Sequence, residues 1–199
     1  MIHRRTLLSG AAALAAAATV APAARAQEQT PYVIPEEHMP RLVRIKGAVQ
    51  PNEIHVDPDA FALYWTLPEG KAIRYAVGIG REGLYEWGSF YVGAKKEWPE
   101  WTPTPEMIAR DPASYERWKD GMPGGPDNPL GARALYLFTA EGGDSFLRIH
   151  GTNAPRTIGT RVSNGCARLV NSHAVHLYDQ VPLGARVYLG KPSGEAELG

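Results

Sequence analysis

The sequence predicts a mainly β domain with a minor helical part, an α+β class, and three observations lead there. Seven short runs have strand composition, turn-forming clusters separate them, and only two segments carry a helical signature.

Taken in chain order, residues 1–26 stand apart from that domain. Arg4 and Arg5 precede an alanine-rich apolar stretch, and Ala24-Arg25-Ala26 stands just before the polar Gln27-Glu28-Gln29. Basic, then apolar, then small-x-small is the order of a secretory signal peptide cleaved after Ala26. The paired arginines and the weakly apolar alanines favour the twin-arginine form over the Sec form. A retained anchor is the poorer reading, because the stretch from Leu7 to Val20 is short, rich in Ala and followed by Pro22. The expected mature chain has 173 residues, with 18 basic and 21 acidic side chains and a net charge near −3. That length suits one domain with a real core, and no basic patch argues for nucleic acid.

Residues 27–49 hold Pro31, Pro35 and Pro40 among charges and read as an extended lead-in. The expected domain proper covers 50–191. Its strand runs are Glu53 to Val56, Phe61 to Thr66, Ala72 to Ile79, Gly88 to Val92, Arg133 to Thr139, Phe146 to His150 and Arg186 to Leu189. Pro68-Glu69-Gly70-Lys71 and Glu141-Gly142-Gly143-Asp144 supply turns between neighbours. The first helical piece starts at Thr104-Pro105-Glu106, with Thr as N-cap and Pro in the first turn, and continues near Pro112 to Lys119. In the second, Asn171 is the expected cap, Ala174, Leu177, Tyr178 and Val181 form an apolar stripe, and Pro182-Leu183-Gly184 ends it. Residues 192–199 read as a polar, disordered tail.

Several features compete for a functional role. Gly78-Ile79-Gly80-Arg81-Glu82-Gly83 matches G-x-G-x-x-G, but the aromatic, strand-like residues 84–92 follow it where a phosphate site needs a helix. A glycine-rich turn is the better reading. His173 and His176 lie off the apolar stripe of the second helix and read as solvated or flanking rather than metal-binding. Trp98, Trp101 and Trp118 serve equally as a core satellite or as a binding wall.

Cys166 is the single cysteine of a chain expected to be exported, so it forms no internal disulfide. By itself it reads first as a small buried hydrophobe. Its neighbours change that. His150 ends a strand and Gly151 follows it, while Ser163-Asn164-Gly165 precedes the cysteine and a helix comes after it. A thiol becomes a nucleophile when a histidine or a positive field stabilises its thiolate. Gly165 lets backbone amides approach a substrate carbonyl, and Arg168 offers a planar fork for a carboxylate.

The run His150-Gly151-Thr152-Asn153, then Ser163-Asn164-Gly165-Cys166-Ala167-Arg168-Leu169, resembles the active-site signature of the L,D-transpeptidase (YkuD-type) family. The resemblance extends through residues 123–131 and 177–184 and spans roughly 50–190. It implies a mixed β-sheet sandwich or barrel with short flanking helices, in an exported, periplasmic cell-wall enzyme. It implies Cys166 as nucleophile and His150 as general acid and base, supported by Gly151, Ser163, Asn164 and Gly165, with Arg168 as a substrate anchor. Many members carry histidine where this chain has Asn164, so no second imidazole acts here. The implied partners are peptidoglycan stem peptides, donor and acceptor, with no metal or organic cofactor. Release of D-alanine from a thioester-forming donor and transfer to an amine would give a 3→3 crosslink. An L,D-carboxypeptidase, a lipoprotein-attaching enzyme and a non-catalytic wall-binding module are the alternatives.

Overall fold

The structure is a computed structural model and describes residues 32–47 and 49–193. The expected signal segment and residues 194–199 of the expected tail lie outside the described residues.

In chain order the strands are β1 (Arg41–Arg44), β2 (Glu53–Asp57), β3 (Ala62–Leu67), β4 (Lys71–Ala76), β5 (Ile79–Gly80) and β6 (Gly88–Glu97). Helices α1 (Pro105–Arg110) and α2 (Pro112–Tyr115) come next, followed by β7 (Arg133–Phe138), β8 (Asp144–His150), β9 (Arg161–Ser163) and β10 (Ala167–Arg168). Helix α3 (Asn171–Gln180) and β11 (Arg186–Leu189) complete the set. Nine strands form one mixed sheet in the order β1-β4-β3-β2-β11-β6-β7-β8-β10, while β5 and β9 pair separately. The pairs β11 with β2 and β10 with β8 are parallel, and the other pairs of the large sheet are antiparallel. Strands β1 and β10 end the sheet, so it does not close into a barrel.

The core follows from the period-two alternation of the strands. Ile54, Leu63, Tyr75, Leu135, Leu137, Ile149 and Val187 are all sealed from solvent in one cluster. Helix α3 lies against β7 and β8 and adds Ala174, Leu177 and Val181 to that cluster. Leu177 is 1% exposed, and burying such a side chain contributes about 1.5–3 kcal/mol. This fixes the floor beneath β8 and β10, the two strands that frame the site.

Several elements differ from expectation. The expected lead-in contains β1, which pairs with β4 from Arg41 opposite Arg74 to Arg44 opposite Lys71. The run Ala72 to Ile79 is two strands, because beyond Ala76 the chain leaves β3 and pairs with β9 instead. Strand β6 runs on to Glu97 through a bulge between Val92 and Ala94. Its charged second half is tolerated because Lys95 Nζ donates to the carbonyls of Tyr178 and Val181 at 2.6 and 2.7 Å. The cysteine is followed directly by β10 rather than by a helix. Asn171 does not cap α3: Val170 holds that position, and the Asn171 side chain turns inward. Thr104 does cap α1, accepting from Met107 N. Pro192 is buried, and Ser193 N donates to Asp59 Oδ2 at 2.8 Å, so the start of the expected tail is packed.

Candidate active site

Strand register assembles the site. In the parallel pair, Arg168 lies opposite His150 and Ala167 opposite Ile149. One residue back, Cys166 stands level with Arg148. Alternation then puts Arg148, His150, Cys166 and Arg168 on one face of the sheet edge, with Tyr136 of β7 opposite Arg148 on the same face. A groove of about 960 Å³ opens over that face, and all five residues line it.

His150 is 5% exposed. Its Nδ1 lies 2.6 Å from the Gly151 carbonyl oxygen. A carbonyl only accepts, so Nδ1 carries the proton and Nε2 keeps its lone pair. Burial, then the nearby Arg168 guanidinium, pushes His150 down to a pKa of about 3, against the pull of the Gly151 and Leu130 carbonyls. The imidazole is therefore neutral at physiological pH. The turn after it is pinned by Asn171 Oδ1, which accepts from both Ala132 N and Thr152 N at 3.0 Å.

Cys166 is half-buried and is a free thiol. Burial pushes the thiol up, while a hydrogen bond from the Arg148 backbone and the guanidiniums of Arg148 and Arg168 pull it down. Its loop is stapled by Ser163, whose Oγ donates to the Cys166 carbonyl at 2.6 Å and accepts from Gly165 N at 3.3 Å. Gly165 has φ +121, and a Cβ there would sit 2.9 Å from the Leu84 carbonyl oxygen, so both conformation and space demand glycine. Gly80 shares that demand, since its Cβ would lie 2.7 Å from Tyr85 Cα and 3.0 Å from Gly165 Cα. The Gly78–Gly83 motif is thus the short strand β5 and the turn after it, packed against the cysteine loop, with no helix following.

Arg168 is tied by its backbone to Gly78 at 2.8 and 2.9 Å. Its Nη1 donates to Thr157 Oγ1 at 3.4 Å, and its buried Nε has no hydrogen-bond partner. Among the described residues no ion pair joins Arg168 to a carboxylate. Arg148 differs, being held by Asp144 through two contacts of 2.7 and 2.8 Å and stacked 4.0 Å from the Tyr136 ring centroid. Asn164 points away from the thiol chemistry: its Oδ1 accepts from Arg110 at 2.9 Å and Arg81 at 3.3 Å, and its Nδ2 donates to Tyr115 at 3.0 Å.

Trp101 lines the groove and meets Tyr115 edge to face at 6.0 Å, whereas Trp98 and Trp118 stand outside it. His173 corrects the solvated reading, being 5% exposed and tilted against Tyr75 at 6.4 Å. His176 Nδ1 pairs with Tyr75 Oη at 2.8 Å. Sequence reasoning missed Arg148, Tyr115, Arg110 and Asn171. The two-residue spacing of Arg148 from His150 was a usable signal, whereas the others act across 19 to 54 residues of chain.

A neutral imidazole with a bare Nε2, a thiol just before the neighbouring strand and a guanidinium with no carboxylate partner in one groove suit nucleophilic acyl transfer on a carboxylate-bearing substrate. The comparisons with known proteins agree with such a site. The family model for the L,D-transpeptidase catalytic domain matches residues 51–189. The probable L,D-transpeptidase ErfK/SrfK of Escherichia coli is 39% identical over 131 residues, covering 64% of this chain and 40% of that protein. The chain thus spans less than half the length of that relative. A Brucella melitensis protein, solved as a probable carnitine operon oxidoreductase, is 47% identical with a TM-score of 0.54, covering 76% of this chain and 92% of that one. The L,D-transpeptidase of Enterococcus faecium shares the fold at 16% identity and a TM-score of 0.53, over 71% of this chain and 50% of that one.

Proposed function

The chain belongs to the L,D-transpeptidase catalytic-domain family, and we propose that it transfers acyl groups between peptidoglycan stem peptides through Cys166 and His150. The observation that carries this reading is the register of β8 and β10, which puts His150, Cys166 and Arg168 on one groove-facing edge within the segment the family matches.

The resting pair is a neutral thiol and a neutral imidazole, since burial disfavours both ions. The thiol proton therefore moves to His150 Nε2 as sulfur attacks the carbonyl of the diamino acid at stem position three. The new S–C bond makes a tetrahedral oxyanion, and the Cys166 amide is its assigned donor because Gly165 N–H is committed to Ser163. The C–N bond to D-alanine breaks, His150 returns the proton to the leaving amine, and a thioester remains. An amine of a second stem attacks that thioester while His150 Nε2 takes its proton, the C–S bond breaks, and the sulfur recovers the proton from His150, which completes a 3→3 crosslink and restores the neutral pair. Arg168 holds a stem-peptide carboxylate, replacing the partner that its guanidinium lacks within the protein. The thiol carries the covalent step, so no metal or organic cofactor takes part.

The oxidoreductase name of the Brucella melitensis relative is a second reading. It would need a dinucleotide cradle, and Gly78–Gly83 leads into a turn and then β6 rather than a helix.

Supplying a tetrapeptide donor and an amine acceptor to the purified chain should give crosslinked product in excess of tripeptide by mass spectrometry. Tripeptide dominating at saturating acceptor would make the protein an L,D-carboxypeptidase instead. We place this chemistry in the periplasm, after twin-arginine export and cleavage following Ala26. N-terminal sequencing of the periplasmic form should begin at Gln27, and lysine at positions 4 and 5 should block export; unchanged export would favour the Sec route.

A further inference from the structure

The excursion between β6 and β7 carries α1 and α2 over the groove, and its sequence gives it little means to stay there. The two helices have six and four residues and bury no side chain. Helices so short are unstable by themselves and need a tertiary anchor. The base of the excursion has one: Trp101 and Met122 exchange backbone hydrogen bonds at 2.9 and 2.7 Å, and Asn128 Nδ2 donates to the Met122 and Pro123 carbonyls. Its helical tip, residues 104–119, is different. Among the described residues two hydrogen bonds join that tip to the cysteine loop, from Arg110 Nη2 and to Tyr115 Oη, and both end on the Asn164 side chain. Arg81, from the turn beneath the loop, adds a third contact to the same amide.

We propose that Asn164 is a positioning residue that latches the α1–α2 flap closed over the groove, so that Met107, Tyr115 and Trp101 form a wall beside Cys166. The proposal rests on the transpeptidase reading for its substrate and goes beyond it in giving Asn164 a task outside the proton chemistry. An amide suits the position because one side chain accepts from two guanidiniums at Oδ1 while donating from Nδ2 to a phenol oxygen. Aspartate retains the acceptor half, and alanine retains neither. Since the latch touches the flap and not the reacting atoms, losing it removes binding that is equal in ground and transition states. A flap that spends most of its time open also weakens apparent affinity by the fraction of time it is closed.

The test uses the full mature chain with Asn164→Ala, Asn164→Asp and Tyr115→Phe. With a tetrapeptide donor and an amine acceptor, Asn164→Ala should raise donor KM about tenfold and leave kcat within about twofold, as expected for a few partly exposed hydrogen bonds. Tyr115→Phe should raise KM less, and should add little in the Asn164→Ala background. Amide hydrogen exchange should accelerate over residues 104–119 in Asn164→Ala, with β7 and β8 unchanged, and Asn164→Asp should keep most of the wild-type protection. Unchanged exchange in the flap, additive effects of the two substitutions, or a fall in kcat at constant KM would each overturn the latch. A wild-type chain that forms no acyl-transfer product would overturn the transpeptidase reading, and the exchange measurement would still decide the latch.

Discussion

At the residue scale, burial and a carbonyl acceptor hold His150 in one tautomer, and the same burial keeps the neighbouring thiol protonated. Desolvation outweighs the pull of the two arginines on Cys166, so the resting pair is neutral rather than a standing ion pair. Arg168 has the complementary property. It is a groove-lining guanidinium whose Nε is buried without a partner. A charge-assisted contact to a carboxylate contributes on the order of 1.5–3 kcal/mol, so Arg168→Ala should lower kcat/KM roughly ten- to a hundredfold in steady-state assays, with Arg168→Lys restoring only part. Normal kinetics in a correctly folded Arg168→Ala would move the carboxylate contact elsewhere. The two short runs that hold these residues, 150–153 and 163–169, stood out in the sequence through their resemblance to a family signature, and the fold brings His150, Cys166 and Arg168 to one groove. Asn171 was read as a helix cap because its capping chemistry is the same wherever its oxygen points; the amides that donate to that oxygen, Ala132 N and Thr152 N, come from other segments. Tyr115 and Arg110 offered no local signal at all.

At the element scale, strands with clear alternation and flanking turns were readable, and β11 matches its expected bounds of Arg186–Leu189. Three other short strands were not: β1, β9 and β10 owe their pairing to neighbours remote in sequence, so no window of the chain encodes them. Helix α3 was readable by its stripe, yet the stripe misplaced His173, because β-sheet and Tyr75 close over a flank that a lone amphipathic helix would leave wet. Burial, then His176 and His38, pushes His173 down to about 4, as burial and Arg168 push His150 down to about 3. Both folded values lie below the ordinary histidine value of 6.5. On acidification below that value the unfolded chain gains protons that the folded chain refuses, so stability is full above about pH 6.5 and falls as pH drops through 4 and 3. Calorimetry should show a lower Tm at pH 4.5 than at pH 7, and His173→Leu should make that drop smaller. An identical drop in the variant would remove His173 from the account.

At the scale of the whole molecule, the sheet is a platform whose β10 edge presents Arg168, with Cys166 just before it, to the groove while α3 packs the floor beneath it. Gly78 covers the outer edge of β10 with two backbone hydrogen bonds to Arg168, and β10 itself is two residues long, preceded by the cysteine loop and followed by α3. No helix among the described residues is long and apolar enough to cross a membrane. The fold class was legible because turns and alternation repeat along the chain, whereas the openness of the sheet depends on how strand twist accumulates over nine strands and has no sequence signature. The central claim is that Cys166 and His150 act as one unit on this platform. A double-mutant cycle on donor-to-acceptor transfer, with Cys166→Ala, His150→Ala and their combination checked for folding by circular dichroism, tests it most directly. Each single variant should lose nearly all transfer, and the double should lose little more, because a histidine that makes and later protonates has no task once the sulfur is gone. Transfer that survives in correctly folded Cys166→Ala, or losses that simply add, would contradict it.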